Sequence, residues 1–305
     1  MDYKKIIKSR VLRVKIMQML SFFPDKQVVL LQYRIKTGRK LNLLSPKRYT
    51  EKLQWYKLYY RDPIMGKCVD KYSVRNYVKK LGYGHLLVPI IGIYNSANEI
   101  NFNLLPEHFV IKDTLGGGGN SVIIVKNKNE VNIEKIKSEI MKWQKLSNGK
   151  HPGREWVYDN KKSRILIEAY IESNPDEGGL IDYKFFCFNG EIAFVYGIAD
   201  RILGKGAGFG IFDSEFNLLP YGRADEKPLT RTLKKPENYE EMVHCAQQLS
   251  KRFPHARIDL YNQHGKILFG EITFFDGSGY MTFNPDKFDF IMGEKFILPE
   301  RNFYQ

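Results

Sequence analysis

Four consecutive glycines, Gly116–Gly119, stand between two short runs of β-branched and aromatic residues, His108–Asp113 and Ser121–Val125. A run of this kind gives up side-chain contacts and backbone entropy, so it marks a place where something must approach the main chain closely. The segment after the glycines is a strand, not a helix, and it contains no Lys-Ser or Lys-Thr pair. The Walker A loop and the dinucleotide fingerprint are thereby excluded. A strand, a glycine loop and a second strand form the hairpin lid that folds over nucleotide phosphates in kinases. Lys112, at the end of the first strand, is then placed to reach a phosphate oxygen. A merely flexible glycine turn would use the same residues.

The chain around this loop alternates helices with hairpins and predicts an α+β fold. Ser45-Pro46 reads as a helix start, with Tyr49, Leu53, Tyr56 and Tyr60 on one face. Further helices are predicted over Asp70–Leu81, around Ile133, Ile136, Ile140 and Trp143, and from Tyr239 to Phe253. Arg164–Ile171 is a strongly apolar strand. Asp182–Phe188 and Glu191–Ala199 flank Asn189-Gly190, a hairpin signal. Arg257–Tyr261 and Ile267–Thr273 flank a second turn. Strand period two puts Arg257 with Asp259, and Glu271 with Thr273. A connecting loop of three or five residues would set Asp259 opposite Glu271; two or four would part them. Facing carboxylates repel unless a cation lies between them, and hard oxygen ligands suit Mg²⁺, which also binds ATP phosphates. An ordinary charged strand face, with Arg257 paired to Asp259, is the plainer alternative.

Two more groups invite the same question. Asp182 and Lys184 open a stripe that continues as Phe186 and Phe188; Lys184 either clamps a phosphate or only pairs with Asp182. Asp70-Lys71 opens a helix, where an ammonium reinforces an anion site or simply stays solvated. The histidines have no metal-type spacing, and His255 reads as a loop residue. Gly204–Gly210 reads as a mobile loop.

Charge narrows the function classes. The net charge is +14, but residues 1–52 hold 14 Lys/Arg against 3 Asp/Glu, so the body is nearly neutral. In residues 5–22 the cations alternate with Ile, Val, Leu and Met at helical spacing, with no stacking aromatics. That favours an anionic membrane surface over nucleic acid; a helix packed on the body with a solvated basic side is the alternative. Cys68, Cys187 and Cys245 lie far apart, which argues against disulfides and zinc and for a cytoplasmic protein, peripheral on the inner face of the membrane if residues 1–22 dock there. The uncharged run Leu86–Asn98, with Pro89 inside, is too short to span a bilayer.

Read in order, DKYSVRNYV, FVIKDTLGGGGN, GREW, DYKFFCFNGE, RIDLYNQHGKILFGEITF and FNPDKFDFIMGEKF resemble the ATP-grasp superfamily, in its teichuronopeptide-biosynthesis (TupA-like) branch. The resemblance implies two α+β subdomains clamping ATP. The division would be a basic helical segment over 1–45, N-terminal and lid subdomains over 46–172, and a C-terminal subdomain with the metal site over 173–305. It implies phosphate contacts from Lys71 and Lys112, a cover formed by Gly116, Gly117, Gly118, Gly119 and Ser121, and an adenine-reading hinge at Glu168, Tyr170 and Ile171. Lys184 would be a further phosphate lysine, Asp182 a ribose carboxylate and Arg257 the residue that stabilises the transferring phosphoryl group. Asp259, Glu271 and Thr273 would hold Mg²⁺, Thr273 standing where such ligases commonly carry Asn.

The reaction so implied is ATP-dependent ligation of an amine, such as an amino acid, to a carboxylate through an acyl phosphate. The carboxylate would belong to a uronic-acid glycan or its lipid-linked precursor. A glycosyltransferase of the same capsule or lipopolysaccharide pathways, an ATP-grasp kinase or phosphotransferase, and a non-catalytic binding protein are the rivals. The absence of any Asp-x-Asp counts against a metal-dependent sugar-nucleotide enzyme.

Overall fold

The computed structural model describes residues 22–117, 119, 121–144, 151–173, 175–202 and 206–303. The helix expected over 5–22 lies outside them but for its last residue, as does Gly118. Two antiparallel sheets organise the rest. The smaller contains β1 (Ile90–Tyr94), β2 (Phe109–Asp113), β3 (Val122–Val125) and β4 (Ile165–Ala169), in the order β1-β4-β2-β3. Helix α5 (Ile133–Gln144) covers one face, with Ile136, Ile140 and Trp143 in a core shared with Phe109, Ile111, Val125, Ile165 and Ile167. Period two turns Lys112 and Glu168 away from that core, onto the other face.

The larger sheet is formed by β5 (Asp182–Phe188), β6 (Glu191–Ile202), β7 (Gly206–Asp213), β8 (His255–Gln263) and β9 (Lys266–Thr273), ordered β7-β6-β5-β8-β9. The short strand Lys227–Pro228 pairs in parallel with the outer edge of β7. Its core is aromatic: Phe185, Phe186, Phe253, Phe274 and Phe288 are almost wholly buried. Helix α6 (Tyr239–Ser250) joins this core through Tyr239, Met242, Ala246 and Leu249. So do α2 (Tyr49–Tyr59) through Tyr49, Leu53 and Tyr56, α3 (Pro63–Cys68) through Met65 and Cys68, and α4 (Val74–Lys80) through Val74 and Val78. Helix α7 (Lys287–Lys295) crosses the start of α2 at Gly293, where a Cβ would overlap the Lys47 carbonyl. Helix α1 (Asp25–Thr37) buries Val28, Val29, Gln32 and Tyr33.

Several sequence expectations change here. Ser45-Pro46 does not start α2. Asn42 Oδ1 accepts from Leu44 N and Ser45 N, holding that segment in a turn, and the helix begins after Arg48, with Glu51 accepting from Lys47 N and Arg48 N. The Asn189-Gly190 hairpin forms as expected, both residues with positive φ (51° and 85°). Gly206–Gly210 is strand, not loop. Its glycines leave room for neighbours: a Cβ on Gly210 would meet Phe212 at 3.0 Å and Leu218 at 3.1 Å. His255 opens β8 and is fully buried, donating from Nδ1 to Cys187 O (2.9 Å) and accepting at Nε2 from the Tyr49 hydroxyl (2.9 Å).

The β8–β9 turn has two residues, His264 and Gly265, both at positive φ. On that count alone Asp259 would face Gly270. A β-bulge between Asp259 and Leu260 shifts the register by one, so Asp259 pairs with Glu271 after all. Gly270 is the extra residue. A Cβ there would come within 2.9 Å of Asp259 O.

Candidate active site

The face of the larger sheet at β5, β8 and β9 collects most of the charged residues read from the sequence. Arg257 is its centre and is 8% exposed. Its Nε and Nη2 donate to the two carboxylate oxygens of Asp259 at 2.7 and 2.8 Å. Nη2 also reaches Glu271 Oε1 at 2.9 Å and Thr273 Oγ1 at 3.1 Å, and Nη1 donates to Asp276. Lys184 Nζ sits between Asp259 and Asp182, 2.8 Å from the latter, and Arg201 donates to Asp182 at 3.0 Å. These contacts come from register, since Asp259 pairs with Lys184 on one side and Glu271 on the other.

Lys71 brings the glycine loop to this cluster. Its ammonium donates to Gly116 O and lies 3.9 Å from Glu271 Oε2, while its amide donates to Thr114 O at 2.9 Å. Asp70 fixes the turn that carries it, accepting from Tyr72 N and Ser73 N. Gly116 is required locally: a Cβ would stand 2.6 Å from Ser121 Cβ. Gly117 has open space around it, and Gly119 takes a left-handed φ of 73°.

Lys112 and Glu168 form a second group on the smaller sheet, paired at 2.6 Å, with Arg75 reaching the other Glu168 oxygen at 3.2 Å. Tyr170 and Ile171 come directly after β4, half-buried, the Tyr170 ring 6.3 Å from that of His108. Sequence reading missed Asp276 and Arg201; it set Arg75 one turn after Asp70-Lys71 without giving it a role. Asp276 lies three residues beyond Thr273, outside any strand period, and reaches Arg257 at the start of a turn whose next residues, Gly277, Ser278 and Gly279, have positive φ.

Electrostatics separates the two carboxylates. Burial pushes Asp259 up, to about 6, against the pull of Arg257 and Lys184. Burial works on Glu271 in the same sense, but Lys71, Arg257, Lys184 and the Thr273 hydroxyl outweigh it and hold the carboxyl at about 2. Burial also opposes the charge of Arg257, and Asp259, Asp276 and Glu271 together keep its pKa well above the ordinary value.

Among the described residues no three His, Cys, Asp or Glu side chains converge on one cation position. Mg²⁺ needs fewer, because it keeps waters and shares substrate phosphates with one or two carboxylates. Glu271 fits that use: it is ionised, one-third exposed, and only its Oε1 accepts hydrogen bonds. Asp259 is 2% exposed, with Arg257 on both oxygens and Lys184 on one, so it would join a metal only where Lys184 lets go.

No curated protein matches the chain. Among solved structures, a D-alanine–D-alanine ligase from Bacillus anthracis is 19% identical with a TM-score of 0.44, over 68% of this chain and 57% of that one. An L-amino acid ligase from Bacillus licheniformis is 14% identical with a TM-score of 0.41, over 70% and 42%. This chain spans less than two thirds of either. The family profile described as TupA-like ATPgrasp matches residues 51–297. The mixed α+β architecture is the ATP-grasp fold, and the chain belongs to the TupA-like ATP-grasp family.

Proposed function

We propose that this protein is an ATP- and Mg²⁺-dependent carboxylate–amine ligase. A substrate carboxylate would attack the γ-phosphorus of ATP, releasing ADP and leaving an acyl phosphate; an amine would then attack the acyl carbon and release phosphate, giving the amide. The observation that carries the reading is Arg257, buried and fixed by Asp259, Asp276 and Glu271, with Lys184 and Lys71 beside it. Such a fixed cationic set stabilises charge that develops on phosphoryl oxygens and on the acyl adduct.

Lys71, Lys112 and Lys184 would meet phosphate oxygens, with Gly116–Ser121 closing over them. Glu168, Tyr170 and Ile171 would read adenine, largely through main-chain groups, and Asp182 would take the ribose. Glu271 and Thr273, joined by Asp259, would hold Mg²⁺, which when bound neutralises charge on the transferring group. The closed loop would keep water from the acyl phosphate. The substrates we assign are an amino acid or other amine and a uronic-acid-containing cell-surface polysaccharide or its lipid-linked precursor.

The test is incubation with Mg·ATP, a panel of amino acids and a uronic-acid glycan, monitoring ADP and product mass. The reading requires ADP and amide in equal amounts. ADP with a phosphorylated product would make the protein a kinase, and sugar transfer without ATP consumption would end the ligase reading. Glu271→Gln should lower turnover by about 100-fold or more, with the far-ultraviolet circular dichroism of the native chain retained.

A membrane surface is the partner we assign to the N-terminal side. Helix α1 and the residues before it turn Phe22, Phe23, Leu30, Leu31 and Ile35 outward, with Lys26 and Arg34 among them. Residues 1–21 add six Lys/Arg against one acid. An apolar row among cations suits an anionic bilayer. Among the described residues no helix is long and apolar enough to cross one, so the contact would be docking. Leu31→Glu with Ile35→Glu should abolish sedimentation with phosphatidylglycerol vesicles; retained binding, or a change in oligomeric state instead, would overturn it.

A further inference from the structure

Lys57 is wholly buried on α2, and its ammonium directs its three N–H groups to three uncharged oxygens: Gln54 Oε1 (2.9 Å), Gly153 O (2.9 Å) and Ser278 O (2.8 Å). Only the charged form supplies a donor to each. A neutral amine would turn its lone pair toward one of the acceptors. Burial works against the charge and lowers the pKa to about 7; Lys36 acts in the same sense and Glu155 against it. A charge buried against uncharged partners is costly; its three bonds hold something that would not stay in place unaided.

What they hold is a strained turn. Gly277, Ser278 and Gly279 take φ of 51°, 55° and 68°. Ser278 has a Cβ and is strained in that region, where a residue persists only if its surroundings over-determine it. Ser278 O accepts from Lys57 and from Gln54 Nε2 (2.9 Å), and Gly279 O accepts from the same Gln54 nitrogen (2.7 Å). The Ser278 hydroxyl donates to Glu155. A Cβ on Gly279 would stand 2.5 Å from Gln54 Nε2, and one on Gly153 2.9 Å from Ser278 Oγ, so α2, the turn and the segment at Gly153 meet closely. Asp276 opens this turn and is the carboxylate on Arg257 Nη1.

We propose that Lys57 is a positioning residue: its ammonium fixes the Asp276–Gly279 turn, and through it the angle at which Asp276 holds Arg257. The effect on turnover rests on the ligase reading; the hold on the turn does not and is measured without ATP.

Lys57→Met keeps the stem and removes the ammonium. In the full-length variant, hydrogen exchange read by mass spectrometry should become roughly tenfold faster over residues 275–281, with the β5–β6 hairpin unchanged. In the ligase assay the variant should lower kcat by about tenfold and leave KM for ATP within roughly twofold. On the Asp276→Asn background the same change should lower kcat by less than about twofold, because a residue acting through Asp276 then has nothing left to place. A merely structural lysine would add its full effect there. If Lys57→Met does not fold, Gln54→Glu is the second variant. It keeps the Lys57 contact and replaces the donor to Ser278 O and Gly279 O by an acceptor, and it should show the same faster exchange and the same coupling to Asp276→Asn. Unchanged exchange over 275–281, an unchanged kcat, or effects on kcat that multiply would overturn the proposal. Faster exchange in a chain whose native form makes no ATP-dependent product would uphold the hold on the turn and end the ligase reading instead.

Discussion

Arg257 makes every one of its polar contacts with an acid or a hydroxyl, and Asp276 is the one that comes from outside the sheet. Asp276 is 3% exposed; its Oδ2 has no hydrogen bond, and Arg223 stands 3.8 Å away. A buried carboxylate so placed holds the guanidinium at the angle its neighbours need. Asp276→Asn keeps the shape and removes the charge. In the ligase assay it should lower kcat by about tenfold and leave KM for ATP within roughly twofold; an unchanged kcat would remove Asp276 from this role. Alternation along β8 and β9 made Arg257, Asp259, Glu271 and Thr273 legible in the sequence, because every second residue of a strand shares a face. Asp276 was not legible. Nothing local says that the chain beyond β9 will bring its carboxylate back to Arg257.

At the scale of elements, the glycine hairpin and both strand pairs of the larger sheet could be read from β-branched runs and turn residues. The facing of Asp259 and Glu271 could be read only conditionally, since it depends on a bulge that no turn signal announces. Helix α1 carries no comparable N-cap signal; it begins after Pro24 with no side-chain cap and owes its place to Val28, Val29 and Tyr33 packing on the body. The bulge itself can be tested. Gly270→Ala would press a methyl group on the Asp259 carbonyl, and overpacking of that kind costs about 1–3 kcal/mol. Urea denaturation should show that loss, and the Mg²⁺ dependence of turnover should move to higher concentration as Glu271 shifts. An unchanged midpoint would mean that the bulge does not need a glycine.

Across the whole molecule, His255 joins α2, β5 and β8 through two hydrogen bonds that suit a neutral ring. Burial lowers its pKa from 6.5 to about 4. Between those values the unfolded chain takes up a proton that the folded chain refuses, so this group's contribution is present above pH 6.5 and is lost as pH falls towards 4. Asp259, held up at about 6, acts in the opposite sense over nearly the same interval. The His255 effect is therefore read as a difference between proteins. The stability advantage of the native chain over His255→Gln should shrink by about 2 kcal/mol between pH 7 and 4.5, measured by urea midpoints; a constant difference would contradict it.

One residue of the turn before α4 has a mechanical consequence. Lys71 grips the glycine loop at two points, by its amide at Thr114 and its ammonium at Gly116, while four residues later Arg75 grips Glu168 on the smaller sheet. The loop cannot swing outward without breaking the ammonium bond, and a phosphate arriving at Lys71 would compete for that same ammonium. On the proposed reading, admitting a nucleotide would release the latch in the same event, worked by a single side chain.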